Sequence, residues 1–214
     1  MRQYHKINTI YKRDTRGNIL IGEYSSPELE YLKDNDWVFT EKVDGTNVRV
    51  MWDGESLRFG GKTDNAQMPM LLVEKLQSLF TKEKMEAEFP NDPNGPLALC
   101  LYGEGYGAKI QKGGGNYNPL GVDFVLFDIR IGSWWLNRES VEDIGNRLGV
   151  KVVPTIGHGT LDDAVCMTRS GIYSQWGGFM AEGIVLRPRV ELTARNGSRI
   201  ITKIKHRDFG KDLK

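Results

Sequence analysis

Two apolar runs flank a short polar bend, and that arrangement constrains the fold more than any other stretch of the chain. Trp37-Val38-Phe39 leads into Glu41-Lys42-Val43-Asp44-Gly45-Thr46-Asn47, and Val48-Arg49-Val50-Met51-Trp52 follows. β-Branched and aromatic runs separated by an Asp-Gly pair read as a β-hairpin whose bend carries a lysine and two carboxylates. Asp53-Gly54 then turns the chain into Leu57-Arg58-Phe59, which places three consecutive strands around Lys42.

The other segments supply a mixed set of elements. Residues 1 to about 24 alternate around a turn at Asp14-Thr15-Arg16-Gly17-Asn18 and read as a strand pair. Ser26-Pro27-Glu28 has the hydroxyl, proline and acid of a helix start, and that short helix ends near Asn35. Leu71, Leu72, Leu76, Leu79 and Phe80 recur at helical spacing in a helix from Met70 to about Glu88, broken near Thr81. Phe89 to Pro96 is a surface loop by composition, and Leu97 to Tyr102 is a buried strand entering Gly103-Glu104-Gly105-Tyr106-Gly107. Lys109 to Tyr117 mixes glycine, cations and amides, so it is either a mobile loop that closes over a substrate or a passive connection. Val122 to Ile131 is a strong strand, Asn137 caps a helix that Gly149 ends, and Thr160 begins another helix. The last quarter is β: Gly183 to Leu186, then a hairpin turning at Asn196-Gly197 and returning along Arg199 to Lys205. With no internal repeat or low-complexity linker, the expectation is one α+β domain over residues 1–214, with antiparallel sheets flanked by helices.

Composition excludes several classes. No apolar run approaches the ~20 residues of a membrane span, and Arg2, His5, Lys6, Lys12 and Arg13 occupy the place of a signal peptide's apolar core. A cytoplasmic protein without a membrane partner is expected. Cys100 and Cys166 form no Cys-x-x-Cys, so they read as two buried thiols rather than a disulfide or a zinc site. A net charge of +1 says nothing in bulk, but Arg187, Arg189, Arg195, Arg199, Lys203, Lys205 and Arg207 gather positive charge near the C-terminus.

Several residues have the makings of a reaction centre. An amine nucleophile must be neutral to attack, and nearby cations favour that form. Lys203 and Lys205 share one face of a strand by alternation, which suits a role beside Lys42 and a phosphate; a solvated, lysine-studded edge strand is the alternative. Glu182 opens an apolar strand and is the best candidate ligand for Mg²⁺ or Mn²⁺, ions that take oxygen donors. Asp44 serves either the turn or the chemistry, and Phe127 either the core or an aromatic ligand face, because Phe124 and Phe127 lie on opposite faces of one strand.

The ordered set Lys42-Val43-Asp44-Gly45, Gly103-Glu104, Phe127-Asp128, Glu182-Gly183 and Lys203-Ile204-Lys205 resembles the lysine nucleotidyltransferases, the superfamily of ATP-dependent polynucleotide ligases and mRNA capping enzymes. Within it, Asn47 in place of an arginine makes the chain similar to the bacteriophage RNA ligases. The resemblance covers roughly residues 36 to 206. It implies an ATP-grasp-like nucleotidyltransferase domain, ATP and Mg²⁺ (or Mn²⁺) as cofactors, and a nucleic-acid partner, RNA preferred, with 5′-phosphate and 3′-hydroxyl ends. It assigns Lys42 to covalent AMP, Lys203 and Lys205 to the phosphate, Glu182 to the metal, Glu104 to the ribose, Phe127 to the adenine face and Glu41 to the adenine edge. Asn47 and Lys62 complete the nucleotide site. Lys62 departs from the family's arginine at that place, so either Lys62 or Arg58, four residues earlier, takes that arginine's role. The resemblance shows no appended OB-fold or helical module after Lys205. A compact DNA ligase and a non-catalytic binder of nucleic-acid ends are the rival readings.

Overall fold

The computed structural model describes residues 3–90, 95 and 98–210. Most of the expected loop from Phe89 to Pro96, and Leu97 of the strand after it, lie outside the described residues. In chain order the first elements are β1 (Asn8–Thr9), β2 (Tyr11–Arg13), β3 (Ile19–Tyr24), α1 (Pro27–Tyr31), β4 (Trp37–Glu41), β5 (Thr46–Trp52) and β6 (Leu57–Gly60). Next come α2 (Met70–Leu79), α3 (Lys82–Glu88), β7 (Leu99–Gly107), α4 (Gly114–Tyr117), β8 (Val122–Ile131) and β9 (Trp134–Trp135). The chain continues through α5 (Arg138–Leu148), β10 (Lys151–Val152), β11 (Thr155–Gly159), α6 (Leu161–Ser170), β12 (Gly183–Pro188) and β13 (Thr202–Lys205), and closes on a 3₁₀ turn, His206–Phe209.

These elements form two compact units. One takes in the residues up to His5 together with Asp44–Val153; the other takes in Lys6–Val43 and the chain from Pro154 on. In the first unit a six-stranded sheet runs β10-β8-β7-β5-β6, with β9 added beside β8. Every pairing in it is antiparallel except β10 with β8. Leu72 and Leu76 of α2, Met85 of α3 and Val141 of α5 bury their apolar stripes against Val48, Val50, Leu101, Phe124 and Leu126 of the sheet. Thr81 accepts from Lys84 N and so caps α3, which is why the apolar period is interrupted there.

The second unit is built on the five-stranded order β1-β13-β12-β4-β11, with β2 and β3 paired beside it. Ile10, Trp37, Phe39, Leu161, Ala164, Ile184, Leu186 and Phe209 make its core. Thr160 and Asp163 close a capping box at the start of α6, and Asn137 and Gly149 bound α5 as their residue types require. Among the described residues no helix is long and apolar enough to cross a membrane.

Three expectations are corrected. β4 and β5 do not form a hairpin: β4 pairs with β11 and β12, β5 with β6 and β7, so the bend at Lys42 joins strands of different sheets. Alternation specifies a strand but not its partner. Gly45 is therefore required by close approach, since a Cβ there would collide with the Gly105 carbonyl oxygen. Cys166 is exposed, because Leu161, Ala164 and Thr168 define the buried face of α6 and residue 166 falls outside it. The glycine-rich segment is partly packed, with Ile110, Gly114 and Tyr117 buried; a Cβ on Gly114 would lie 2.8 Å from Gly107 O.

Candidate active site

Lys42 follows the last residue of β4, and its backbone N–H donates to Gly183 O at 2.9 Å. That bond ties the lysine to the start of β12, where Glu182 precedes the strand. Lys205 ends β13 directly opposite Gly183. The three side chains meet: Lys42 Nζ donates to Glu182 Oε2 at 2.5 Å, and Lys205 Nζ lies 2.5 Å from Glu182 Oε1. Each carboxylate oxygen thus has its own ammonium. All three side chains are largely buried, at 20, 13 and 15 % exposure for Lys42, Glu182 and Lys205. Burial pushes the Glu182 carboxyl up, but the charge of Lys42 and the hydrogen bonds from Lys205 and Lys42 outweigh it and hold the group below the usual carboxylate range.

Lys203 lies on the same face of β13 as Lys205, two residues earlier, and both line a cavity. Glu41 is 2 % exposed and is fully engaged: Oε1 accepts from Ser174 Oγ at 2.6 Å and Oε2 from Gln175 N at 2.8 Å. Nothing in the residue pattern around Glu41 signals that anchor. Three of the C-terminal arginines meet carboxylates, whereas Arg195 and Arg207 are exposed. Arg199 donates to both oxygens of Glu191, at 2.9 and 2.6 Å, and Arg187 is 7 % exposed; Arg189 reaches Asp36 at 3.2 Å.

The first unit holds the remaining expected residues. Asn47 on β5 is directly opposite Glu104 on β7, so the two side chains are neighbours on one face. Asn47 Oδ1 is buried and has no hydrogen-bond donor among the described residues. A buried acceptor in that state calls for a donor from outside the chain. The β7–β8 register shifts between Tyr102 and Gly103, opposite Asp128 and Leu126, which leaves Phe127 as the extra residue of a bulge. Bulges re-aim side chains. Phe127 lies off the face by which Phe124 enters the core, as alternation requires, and meets the Tyr4 ring edge-on at 5.1 Å. The Tyr4 hydroxyl donates to Asp128 Oδ2 at 2.6 Å.

Lys62 is exposed and follows Gly61, whose carbonyl accepts from Arg49 Nε at 2.8 Å; Arg49 Nη2 also donates to Asp64 Oδ1 at 2.7 Å. Arg49, 1 % exposed, thereby fixes both ends of the segment that carries Lys62. An arginine inside the apolar run Val48 to Trp52 was the available signal. Arg58, by contrast, bonds Asp53 Oδ2 at 2.8 Å and serves the β5–β6 turn. Asp44 has a role neither alternative foresaw: Oδ2 accepts from Gly113 N at 3.0 Å and pins the glycine-rich segment.

The donor set limits what metal the protein can hold. Among the described residues no group of three or more His, Cys, Asp or Glu is placed to cage an ion. Glu182 alone, however, matches the single carboxylate that Mg²⁺ or Mn²⁺ commonly takes when phosphates and water complete its shell.

The RNA ligase family model matches residues 35–205, most of the chain and parts of both units. The chain belongs to the RNA ligase family. Solved structures agree on the fold of this RNA ligase family member. It superposes on the Naegleria gruberi RNA ligase with pyrophosphate at a TM-score of 0.67 and 18 % identity, covering 98 % of this chain and 64 % of that one. A mutant of the same protein with ATP and manganese matches at 0.68 and 17 %, covering 98 and 59 %; another with AMP and manganese matches at 0.67 and 18 %, covering 97 and 63 %. The chain therefore spans about three-fifths of the length of those relatives.

Proposed function

We propose that this chain is an ATP-dependent RNA ligase that works through a lysyl-AMP intermediate on Lys42. The observation that carries the reading is the meeting of Lys42, Glu182 and Lys205 around one carboxylate. The Lys42 amine loses a proton and attacks the α-phosphorus of ATP; the P–N bond forms as the bond to the β-phosphate oxygen breaks and pyrophosphate leaves. AMP then passes to the 5′-phosphate of the RNA, breaking the P–N bond. Attack by a 3′-hydroxyl makes the phosphodiester and releases AMP.

Lys205, with Lys203 beside it on the strand, supplies positive charge for the phosphates. Glu182 is the residue to hold Mg²⁺ or Mn²⁺, which when bound neutralises charge on the triphosphate. That role competes with the present pairing, since both Glu182 oxygens are already engaged by ammonium groups. Departure of the Lys42 proton relieves the competition, because a neutral amine no longer forms an ion pair with the carboxylate. In the other unit, the unsatisfied Asn47 Oδ1, the adjacent Glu104 and the off-core Phe127 support the nucleoside-binding roles that the family assigns to them. Lys62 and Glu41 belong to the same reading, Glu41 through the Ser174–Gln175 anchor it provides. Two free cysteines fit a reducing, cytoplasmic setting.

The test is incubation with α-labelled ATP and Mg²⁺ or Mn²⁺, followed by denaturation. Label retained on the protein and lost in Lys42→Ala supports the reading, and no retained label overturns it in favour of an end-binding protein. Sealing assays with matched RNA and DNA ends then decide the polymer: preferential joining of DNA would make it a compact DNA ligase.

A further inference from the structure

The second unit contains a cavity of about 800 Å³ built from both ends of the described chain. β1 runs parallel to β13, Asn8 against Thr202 and Thr9 against Lys203, and Ile10 N–H donates to Lys203 O at 3.1 Å. This pairing brings the N-terminal segment beside the lysine-bearing strand. Asp208, in the 3₁₀ turn, fastens the far side by accepting from Arg13 Nη2 at 2.9 Å and from Lys205 N at 3.2 Å. The lining carries six cations: Lys6, Lys12, Arg13, Lys203, Lys205 and Arg207. Carboxylates meet several of them. Asp208 pairs with Arg13, Glu182 with Lys205, and Glu23 approaches Lys12 at 3.8 Å with both groups more than half exposed. An exposed pair of that kind offsets little charge.

Lys6 and Arg207 are exposed and have no carboxylate partner among the described residues. Lys6, Lys12 and Arg13 also precede the span matched by the family model, so the family-matched residues alone do not build this site. The cavity is wider than one phosphate needs and of the size that holds a drug-sized ligand. Its cations come from two separate chain segments, the N-terminal stretch and β13 with the turn after it, which suits successive phosphates of a strand. Lys205 connects it to the reaction centre, because the same side chain that lines the cavity reaches Glu182, the partner of Lys42.

We propose that this cavity seats the backbone phosphates of the RNA strand being joined, with the N-terminal segment supplying half of the cationic wall. The inference rests on the RNA ligase reading above and adds the strand's place to it. Charge neutralisation along single-stranded nucleic acid releases counterions, so affinity falls with salt at a log–log slope of about 0.7 per phosphate contact.

The experiment measures anisotropy of a labelled, 5′-phosphorylated single-stranded oligoribonucleotide against the full chain across a salt series. It compares wild type with the combined variant Lys6→Gln, Lys12→Gln and Arg207→Gln, all three exposed in the structure. The variant is expected to bind at least about tenfold more weakly and to lose about 2 from the magnitude of the slope. A wild-type slope near zero, or a variant with unchanged affinity and slope, overturns the proposal. Parallel loss of the Lys42 label in the variant also overturns it, since the cavity then serves the triphosphate of ATP. A wild-type protein that binds the strand through these residues yet never labels Lys42 sinks the ligase reading and leaves the strand site standing.

Discussion

Lys42 Nζ lies 2.5 Å from one oxygen of Glu182, whose other oxygen faces Lys205 at the same distance. Two ammonium groups therefore share one carboxylate in a largely buried setting. Replacing Glu182 by Gln removes the only negative charge of that trio while leaving its size. The cost is about 2 kcal/mol, the range for a hydrogen bond to a charged group. Labelling of Lys42 from ATP should fall by about a hundredfold or more, read as initial rates with α-labelled nucleotide.

The same pair sets a pH dependence. Glu182 is held below its ordinary value when folded, so its contribution to stability is fully present above the unfolded carboxyl value, about 4.3, and is lost as pH falls through the lower folded value. Denaturant melts of wild type and Glu182→Gln should differ most above about pH 5 and converge in acid. A gap that widens on acidification contradicts the assignment.

Glu41 anchors Ser174 and Gln175 from a site that is 2 % exposed. Glu41→Ala leaves a buried hydroxyl and a backbone N–H without their acceptor, which costs about 2 kcal/mol or more. For a chain of this size that lowers the melting temperature by about 4–8 °C. Calorimetry is the check, and an unchanged melting temperature would show that the anchor contributes nothing.

Arg49 acts on Lys62 through the backbone. Arg49→Lys keeps the charge but cannot bond Gly61 O and Asp64 together, so amide exchange over residues 61–64 should accelerate. Asp64→Asn, at an exposed carboxylate, should barely move it. Hydrogen exchange followed by mass spectrometry separates the two.

The thiols should react unequally. Burial pushes the Cys100 thiol up to about 11, whereas Cys166 is exposed on α6. A maleimide should modify one cysteine per folded chain at neutral pH and two after denaturation. Rapid modification of both in the native protein would contradict the burial of Cys100.

Residue types alone specify the local elements and the identity of the reactive groups. The caps at Asn137 and Thr160, the break at Thr81, the turn at Asn196-Gly197 and the shared face of Lys203 and Lys205 all follow from residue types acting over a few positions. Helix ends and strand alternation are short-range properties, so one chain segment suffices to specify them. The ordered motifs around Lys42, Glu182 and Lys205 likewise pointed to the family before any geometry was known. Which strands pair is set by long-range packing, which overturned the hairpin at Lys42 and sent β4 and β5 to different sheets. It also decided that Glu182 lies between two lysines, that Phe127 packs against Tyr4 beside a bulge, and that Arg199 and Arg189 are spent on Glu191 and Asp36 while Lys6, Lys12 and Arg207 come to the cavity. Those outcomes depend on contacts between residues far apart in the chain, where alternation and charge fix what a side chain can do but not which neighbour it meets.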